Sequence, residues 1–397
     1  MRIGINCRTI LNPGFGEGAG VGYYTYYLVK NLLRIDQENE YFLYFDDLIN
    51  DDAIGGVVEG APNVKIKRFP FHQYKKLLPF AYSHVLVTSF IGRDNLDIFH
   101  APSGILPYTY RKNSVITIHD LAIYKHPEWF PEGRITKNIS TKMLVPKSVD
   151  TATKIIAVSE STKKDLIELF KINPNKISVV YEGVELPGDF TDEGYCGLSQ
   201  PIKKKFGLKK DYFLSLGTLE PRKNIALVLD ALMEILVEEP DVLRDKEYII
   251  AGVKGWKYEQ IFKKMNELNT LAHQRLGETL VRYLGYIPHG DKFPLMACSM
   301  FFVFPSLYEG FGLPVAEAMK IGIPVISSNV SSLPEVCGDA AVLIDPHDLA
   351  AMKNSLLHLL KNSEARKNYS KIGRRQAEKF SWKSTAIKTL DVYKSLE

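Results

Sequence analysis

The sequence predicts an α/β protein of two domains, each built on an open, mainly parallel sheet, and three observations lead there. Short runs rich in β-branched and aromatic residues alternate with longer segments of helical periodicity. Those runs are apolar at successive positions, not at every second one, which is the pattern of strands covered on both faces. The chain has 397 residues, more than one hydrophobic core usually organises.

The strands fall into two series. RIGIN near 2–6, YFLYF near 41–45, VKIKRF near 64–69, DIFHA near 97–101, VITIHD near 115–120, KIIAVS near 154–159 and ISVVYE near 177–182 make the first. YFLSLG near 212–217, EYIIAG near 247–252, LVRYLGY near 280–286, FFVFPS near 301–306, PVISS near 324–328 and AVLIDP near 341–346 make the second. Segments such as NIALVLDALMEILVEE lie between them with apolar residues at helical spacing. Gly, Pro, Asp and Ser content marks 184–210 as the seam between domains. A charged, amphipathic helix is expected over roughly 365–397. Parallel sheets take ligands at the carboxyl ends of their strands, so two such domains imply a cleft between them.

Composition bounds the function. Hydrophobic residues make up 45% and charged residues 24%, as in ordinary globular proteins. Lys and Arg total 50 against 46 Asp and Glu, a net charge of +4, too small an excess to argue for nucleic acid. The start, MRIGINCRTI, lacks an apolar core, which argues against a secretory signal. No run approaches the roughly 20 apolar residues that span a bilayer. Cys7, Cys196, Cys298 and Cys337 are scattered without a CxxC pair, as expected of free thiols in a reducing compartment.

Four places carry candidate chemistry. After RIGIN, the segment NPGFGEGAGVGYY sets glycines at 14, 16, 18, 20 and 22 before a helix that begins near Val21. Such a loop lets a ligand approach backbone N–H groups at a helix N-terminus; a plain surface loop is the alternative. It lacks the Lys of a nucleoside triphosphatase loop. His119 and Asp120 end a buried strand, where an open sheet binds ligands. Asp120 equally suits a helix cap, while a buried His119 needs partners at both ring nitrogens. His126 and Trp129, further on, read as wall or core residues.

LGTLEPRKN, 216–224, sets Arg222 and Lys223 before the helix of the second domain, with Asn224 as a candidate N-cap. Two cations at a helix N-terminus oppose its dipole unless an anion joins them, and a pyrophosphate would do so. EGFGLPVAE, 309–317, places Glu309 before a glycine turn and Glu317 in or near the first turn of a helix starting near Pro314. Carboxylates there are the wrong charge for phosphate and the right type for sugar diols. No metal is expected: the acidic run FDDLINDD, 45–52, has no DxD spacing and reads as a solvated loop.

EGFGLPVAEAM, with Glu309 and Glu317 in an E-x7-E spacing, and the continuation SSNVSSLPEVCGDAAVLIDP resemble the retaining family 4 glycosyltransferases over nearly the whole chain. TLEPRKN and HDLAIYKHPEWFP are similar to bacterial mannosyltransferases that build surface polysaccharides. The resemblance implies a GT-B fold of two Rossmann-like domains with parallel sheets facing across a cleft. An acceptor-binding domain is expected over 1–190, a nucleotide-sugar domain over 205–375, and a helix over 376–397 that crosses back to the first.

Carried over by residue, the likeness implies that Arg222 and Lys223 hold the donor diphosphate. Glu309 would bind hexose hydroxyls, the N–H groups of Phe311, Gly312 and Leu313 would approach sugar or phosphate, and Glu317 would bind ribose. His119 would lie by the reacting carbon, and the loop Gly18–Gly22, with Gly20 and Gly22, near donor phosphate or acceptor.

The activity implied is that of a retaining hexosyltransferase moving mannose from GDP-mannose to an oligosaccharide or lipid-linked glycan, with no cofactor and no metal. UDP-glucose or UDP-galactose is the alternative donor, and a non-catalytic nucleotide- or glycan-binding module the alternative class. A cytoplasmic location is expected, with peripheral contact at the inner membrane face; FHQYKKLLPFAYSHVL, 71–86, is the stretch for that contact, an ordinary surface segment being the other reading.

Overall fold

The computed structural model describes residues 1–10, 20–69, 85–131, 140–186 and 201–397. Gly14, Gly16, Gly18, Cys196 and nearly all of 71–86 lie outside them. The described chain forms two compact units. Unit 1 holds Met1–Lys125, Glu132–Gly183 and Phe380–Glu397; unit 2 holds His126–Pro131 and Val184–Lys379.

In unit 1 the elements run β1 (Arg2–Asn6), α1 (Val21–Ile35), β2 (Glu40–Asp46), α2 (Asp51–Val58), β3 (Val64–Phe69), α3 (Val87–Gly92), β4 (Ile98–Ala101), β5 (Ser114–Ile118), α4 (Ala122–Lys125), α5 (Val145–Thr151), β6 (Lys154–Ala157), α6 (Glu160–Phe170) and β7 (Ile177–Val179). The sheet order is β3-β2-β1-β4-β5-β6-β7, and every pairing is parallel. Successive residues of a strand point to opposite faces. Tyr41, Leu43 and Phe45 therefore join the core beneath α1 and α2, while Phe42 and Tyr44 join the one on the other face. This two-sided burial is why the runs read as continuously apolar.

Unit 2 follows with β8 (Asp211–Leu216), a 3-10 turn at Pro221–Lys223, α7 (Ile225–Glu238), β9 (Lys246–Ala251), α8 (Glu259–Leu276), β10 (Val281–Tyr283), α9 (His289–Ala297), β11 (Phe302–Phe304), α10 (Leu313–Ile321), β12 (Val325–Ser328), α11 (Leu333–Cys337), β13 (Val342–Ile344), α12 (Leu349–Lys361) and α13 (Ser363–Ala377). Its order is β10-β9-β8-β11-β12-β13, again parallel. The strand order reverses between β8 and β11, where Leu214 pairs with Phe302. That reversal opens a crevice at the carboxyl ends of the two strands.

Two local expectations are corrected. The terminal stretch is two helices: α13 in unit 2, and α14 (Trp382–Lys394) packed in unit 1. The run 45–52 is a strand end, a turn and the first turn of α2, which Asn50 caps by accepting from the Ala53 N–H at 2.9 Å. Its acids there favour the helix dipole. His126 and Trp129 belong to the segment His126–Pro131 of unit 2: the Trp256 indole N–H donates to the Trp129 carbonyl at 2.5 Å, and His126 stacks on Trp129 with ring centroids 3.9 Å apart.

Trp382 is a main anchor of α14, fully buried, stacked on Tyr27 and edge-on to Tyr24. Trp382→Ala should cost unit 1 about 3–5 kcal/mol, read as an earlier urea transition of that unit with the unit 2 transition unmoved.

Candidate active site

The crevice side of unit 2 is built from the loop after β8 and the loop after β11. Pro221 starts the 3-10 turn that carries Arg222 and Lys223, and Asn224 then adopts the left-handed region at φ 52°. Asn224 holds the N-cap position of α7, as expected, but its side chain makes no capping bond. It donates instead to the Pro346 carbonyl at 2.8 Å, tying this loop to the one after β13.

After β11 the chain is pinned from the side. Arg222 accepts from the Leu307 N–H through its carbonyl and donates to the Tyr308 carbonyl. The Glu309 N–H donates to the Ser331 hydroxyl, and the Ser332 hydroxyl donates to the carbonyls of Glu309 and Phe311. Gly312, at φ 100°, precedes α10 in a conformation that favours glycine. The N–H groups of Phe311, Gly312 and Leu313 thus belong to the turn that enters α10.

These ties bring four charged side chains together. Glu309, 8% exposed, meets Lys223 Nζ at 2.5 Å and an Arg222 guanidinium nitrogen at 3.0 Å. Glu220, 3% exposed, accepts from the other side of Arg222 at 2.7 Å. Lys223 also lies over the Phe304 ring, 4.6 Å from its centroid. The anion that the two cations at the start of α7 require is therefore supplied by the chain itself, as two carboxylates. Beside Lys223, at the ends of β8 and β11, is a small cavity of about 10 Å³ lined by Gly217, Thr218, Phe304 and Pro305 among others.

Burial disfavours an ionised Glu309, but the charges of Lys223 and Arg222 outweigh it and hold the carboxyl at about 2. For Lys223, burial comes first and lowers its pKa; Glu309 opposes that and Arg222 adds to it.

Glu317 falls just past the first turn of α10, in its second. It is 2% exposed, and Lys292 of α9 sits 2.6 Å from Oε1 and 2.5 Å from Oε2. Glu309 and Glu317 are thus each engaged by lysine, in separate pairs.

In unit 1, β5 ends at Ile118 and His119 follows. His119 Nδ1 lies 2.9 Å from Glu182 Oε1, and Nε2 lies 2.9 Å from the Pro102 carbonyl. The Tyr24 ring from α1 meets the imidazole edge-on at 4.7 Å. Burial works against a charged His119, but the hydrogen bond and charge of Glu182, the Pro102 carbonyl and Asp120 prevail and raise its pKa. Asp120 accepts from the Ala122 N–H at 3.2 Å, turning the chain into α4, in keeping with the capping reading.

Gly20 immediately precedes α1, and Gly22 lies within it. A Cβ on Gly22 would sit 2.5 Å from the Thr9 carbonyl oxygen, so its close approach is to the protein's own backbone.

Glu220, Glu182, Lys292 and Pro102 were not singled out in the sequence. Glu220 adjoins PRK and could have been found by asking what balances two cations; Lys292 meets its partner between two helices, and Glu182 and Pro102 meet theirs between strand-end loops. Among the described residues no group of three or more His, Cys, Asp or Glu is arranged to hold a metal ion, and no helix is long and apolar enough to cross a membrane.

At pH values above 4.5, the ordinary value for a glutamate, the ionised Glu309 contributes its full stabilisation, which is lost as pH falls through about 2. The difference in unfolding free energy between the wild type and Glu309→Gln should be constant above pH 4.5 and shrink below it, measured by urea denaturation across acid pH.

Comparison with known proteins agrees with this architecture. Residues 199–376 match the family described as glycosyl transferases group 1, and residues 18–186 match glycosyltransferase family 4. The O-antigen chain mannosyltransferase B of Escherichia coli is 33% identical, with 95% of this chain and 96% of that one covered. The serotype-specific mannosyltransferase WbdA of Escherichia coli is 29% identical over 90% of this chain, which spans 43% of it. A D-inositol 3-phosphate glycosyltransferase of Streptomyces bingchenggensis is 26% identical, covering 98% of this chain and 88% of that one.

Among solved structures, sucrose-phosphate synthase from Thermosynechococcus elongatus superposes with a TM-score of 0.72 at 18% identity, covering 100% and 99% of the two chains. Anabaena Alr3699/HepE in complex with UDP and glucose does so at 0.68 and 17%, covering 100% of each. These likenesses establish the GT-B fold. The chain belongs to glycosyltransferase family 4: it is a retaining GT-B glycosyltransferase acting on a nucleotide-sugar donor and a glycan acceptor, related to bacterial mannosyltransferases.

Proposed function

We propose that the protein transfers mannose from GDP-mannose, with retention of configuration, to a glycan that is lipid-linked. The observation that carries the chemistry is the charge cluster at the ends of β8 and β11, where buried Arg222 and Lys223 are neutralised by carboxylates that a diphosphate can replace. The mannose assignment draws support from the 33% identity to the O-antigen chain mannosyltransferase B.

In this reading unit 2 takes the donor and unit 1 the acceptor. Arg222 and Lys223 hold the diphosphate, the first as a fork and the second as a point charge. Glu309, released in part from its cations by the arriving phosphates, accepts hydrogen bonds from hexose hydroxyls. Backbone N–H groups of Phe311, Gly312 and Leu313 and the dipole of α10 add to the anion site. Glu317 takes the ribose hydroxyls, with Lys292 fixing its carboxylate, and His119 serves the transferred sugar. Gly20 lies at the start of α1, facing donor phosphate or acceptor.

The step balances without a cofactor. The bond from the sugar carbon to the diphosphate oxygen breaks, its electron pair leaving with the phosphate. The acceptor oxygen bonds to that carbon on the same face and its proton passes to the departing phosphate oxygen. Arg222 and Lys223 stabilise the charge that develops there. No metal enters this scheme.

A second reading keeps the reaction and changes the donor to UDP-glucose or UDP-galactose. The full-length similarity to HepE, solved with UDP and glucose, and to D-inositol 3-phosphate glycosyltransferases favours it.

The deciding experiment follows slow donor hydrolysis, without added metal and with chelator, for each nucleotide sugar. GDP-mannose should turn over fastest; faster turnover of UDP-glucose would transfer the assignment to the second reading, and full dependence on a metal would count against both. Lys223→Ala should lower turnover at least about a hundredfold, the scale of losing one charge-stabilising group, whereas Lys209→Ala, at an exposed position, should leave it unchanged. Equal effects of the two would refute the phosphate assignment.

A further inference from the structure

His119 faces two acceptors. A neutral imidazole carries one N–H and one lone pair, so a neutral ring would set a lone pair against either the Glu182 carboxylate or the Pro102 carbonyl. Both contacts are 2.9 Å, the distance of a made hydrogen bond. Only the doubly protonated ring satisfies both.

The three residues come from different strand ends. Pro102 follows β4, His119 follows β5, and Glu182 lies beyond β7. Two N–H groups on one rigid ring therefore fix the relative positions of three loops along the carboxyl edge of the unit 1 sheet. Glu182 is 5% exposed, so its negative charge has little water to turn to and needs this partner.

We propose that Glu182 is a positioning residue of the transfer site, that it holds His119 as an imidazolium clamping the loops at Pro102 and Glu182, and that His119 is therefore not the base taking the acceptor's proton. This rests on the reading of His119 as a residue of the transfer reaction. The proton must go elsewhere, and the departing phosphate oxygen is the group that the proposed step supplies.

The groups facing the ring are consistent with it. From α1, Tyr24 presents a ring whose hydroxyl is turned to Thr117 at 3.3 Å, and burial raises its pKa so that it stays neutral. From β4, His100 is bonded to Thr117 at 2.9 Å and to Tyr393 at 2.6 Å. Burial, and then the positive charge of His119, push its pKa down to about 3, so His100 is the neutral one of the pair. Asp120 next in the chain and Glu182 are the negative groups, and both favour the cation. Because the folded-state pKa is raised, the clamp is intact below the ordinary imidazole value and is lost as pH rises through the raised one.

The test is NMR of the histidine rings of the full chain, with His119→Gln removing and so assigning the His119 signal, alongside the pH dependence of kcat/KM. In the wild type, His119 should carry two N–H protons at neutral pH and titrate above an ordinary imidazole. Glu182→Gln should lower that titration at least tenfold in proton affinity and move the alkaline limb of kcat/KM down with it, while Glu182→Asp should restore part of both.

A His119 with a single N–H at neutral pH would overturn the proposal, as would a ring titration that shifts in Glu182→Gln with the alkaline limb unmoved. Should Glu182→Gln fail to fold, the wild-type ring and Glu182→Asp read the same quantity. Absence of transfer from every nucleotide sugar would overturn the functional reading, while the NMR would still decide the charge of His119.

Discussion

Ionised groups taken out of water must be paired, and that requirement organises the carboxyl edge of unit 2. Arg222, Lys223, Glu220 and Glu309 neutralise one another in a setting where any one left alone would cost several kcal/mol. The backbone around them is shaped to keep the pairs in reach. Asn224, at φ 52°, and Gly312, at φ 100°, lie in the two loops that carry the cluster, and Ser331, also at φ 52°, lies in the loop after β12 that braces Glu309. Left-handed backbone at non-glycine positions is costly, and it persists where surrounding contacts over-determine it. Here the contacts are the Asn224 side chain on Pro346 and the Glu309 N–H on Ser331.

The two units solve one problem with opposite balances of charge. In unit 2 a carboxylate is surrounded by cations and is held deprotonated far below its usual range. In unit 1 an imidazole is surrounded by acceptors and is held protonated above its own. Each centre sits just past the end of a strand whose neighbours hold it rigid. A polar site on a sheet edge can thus be both buried and charged, because its partners arrive on adjacent loops at spacings set by the 4.8 Å or so between strands.

Much of the fold was legible because the signal is local. Alternate residues of YFLYF enter two different cores, and a run that must satisfy both faces can hardly avoid being apolar throughout. The parallel order of the strands followed from the helices between them. The candidate site was legible where charge stood next to charge in the chain, as in PRKN, where carboxylates bracketed a glycine turn, as in EGFGLPVAE, and where His119 closed a buried strand. What could not be read was pairing between elements distant in the chain. Nothing in PHGDKF announces that Lys292 meets Glu317, and nothing near YEGVE that Glu182 meets His119, because the first pair joins two helices, α9 and α10, and the second joins two strand-end loops 63 residues apart. Asn224 holds the N-cap position in left-handed backbone without a side-chain capping bond, and its side-chain amide N–H reaches a distant carbonyl that PRKN does not announce.

The division of the chain has a consequence for how it is made. Unit 1 recruits Phe380–Glu397 across the whole of unit 2, and Trp382, Ala386, Val392 and Tyr393 fill the same core as Tyr24 and Leu28. During synthesis, then, the first sheet emerges from the ribosome with one flank of that core bare, and it stays bare while nearly two hundred further residues are translated. Tyr24, Leu28 and their neighbours must spend that interval sheltered by chaperone or by loose collapse, so the nascent protein is most exposed to aggregation just before its last helix appears.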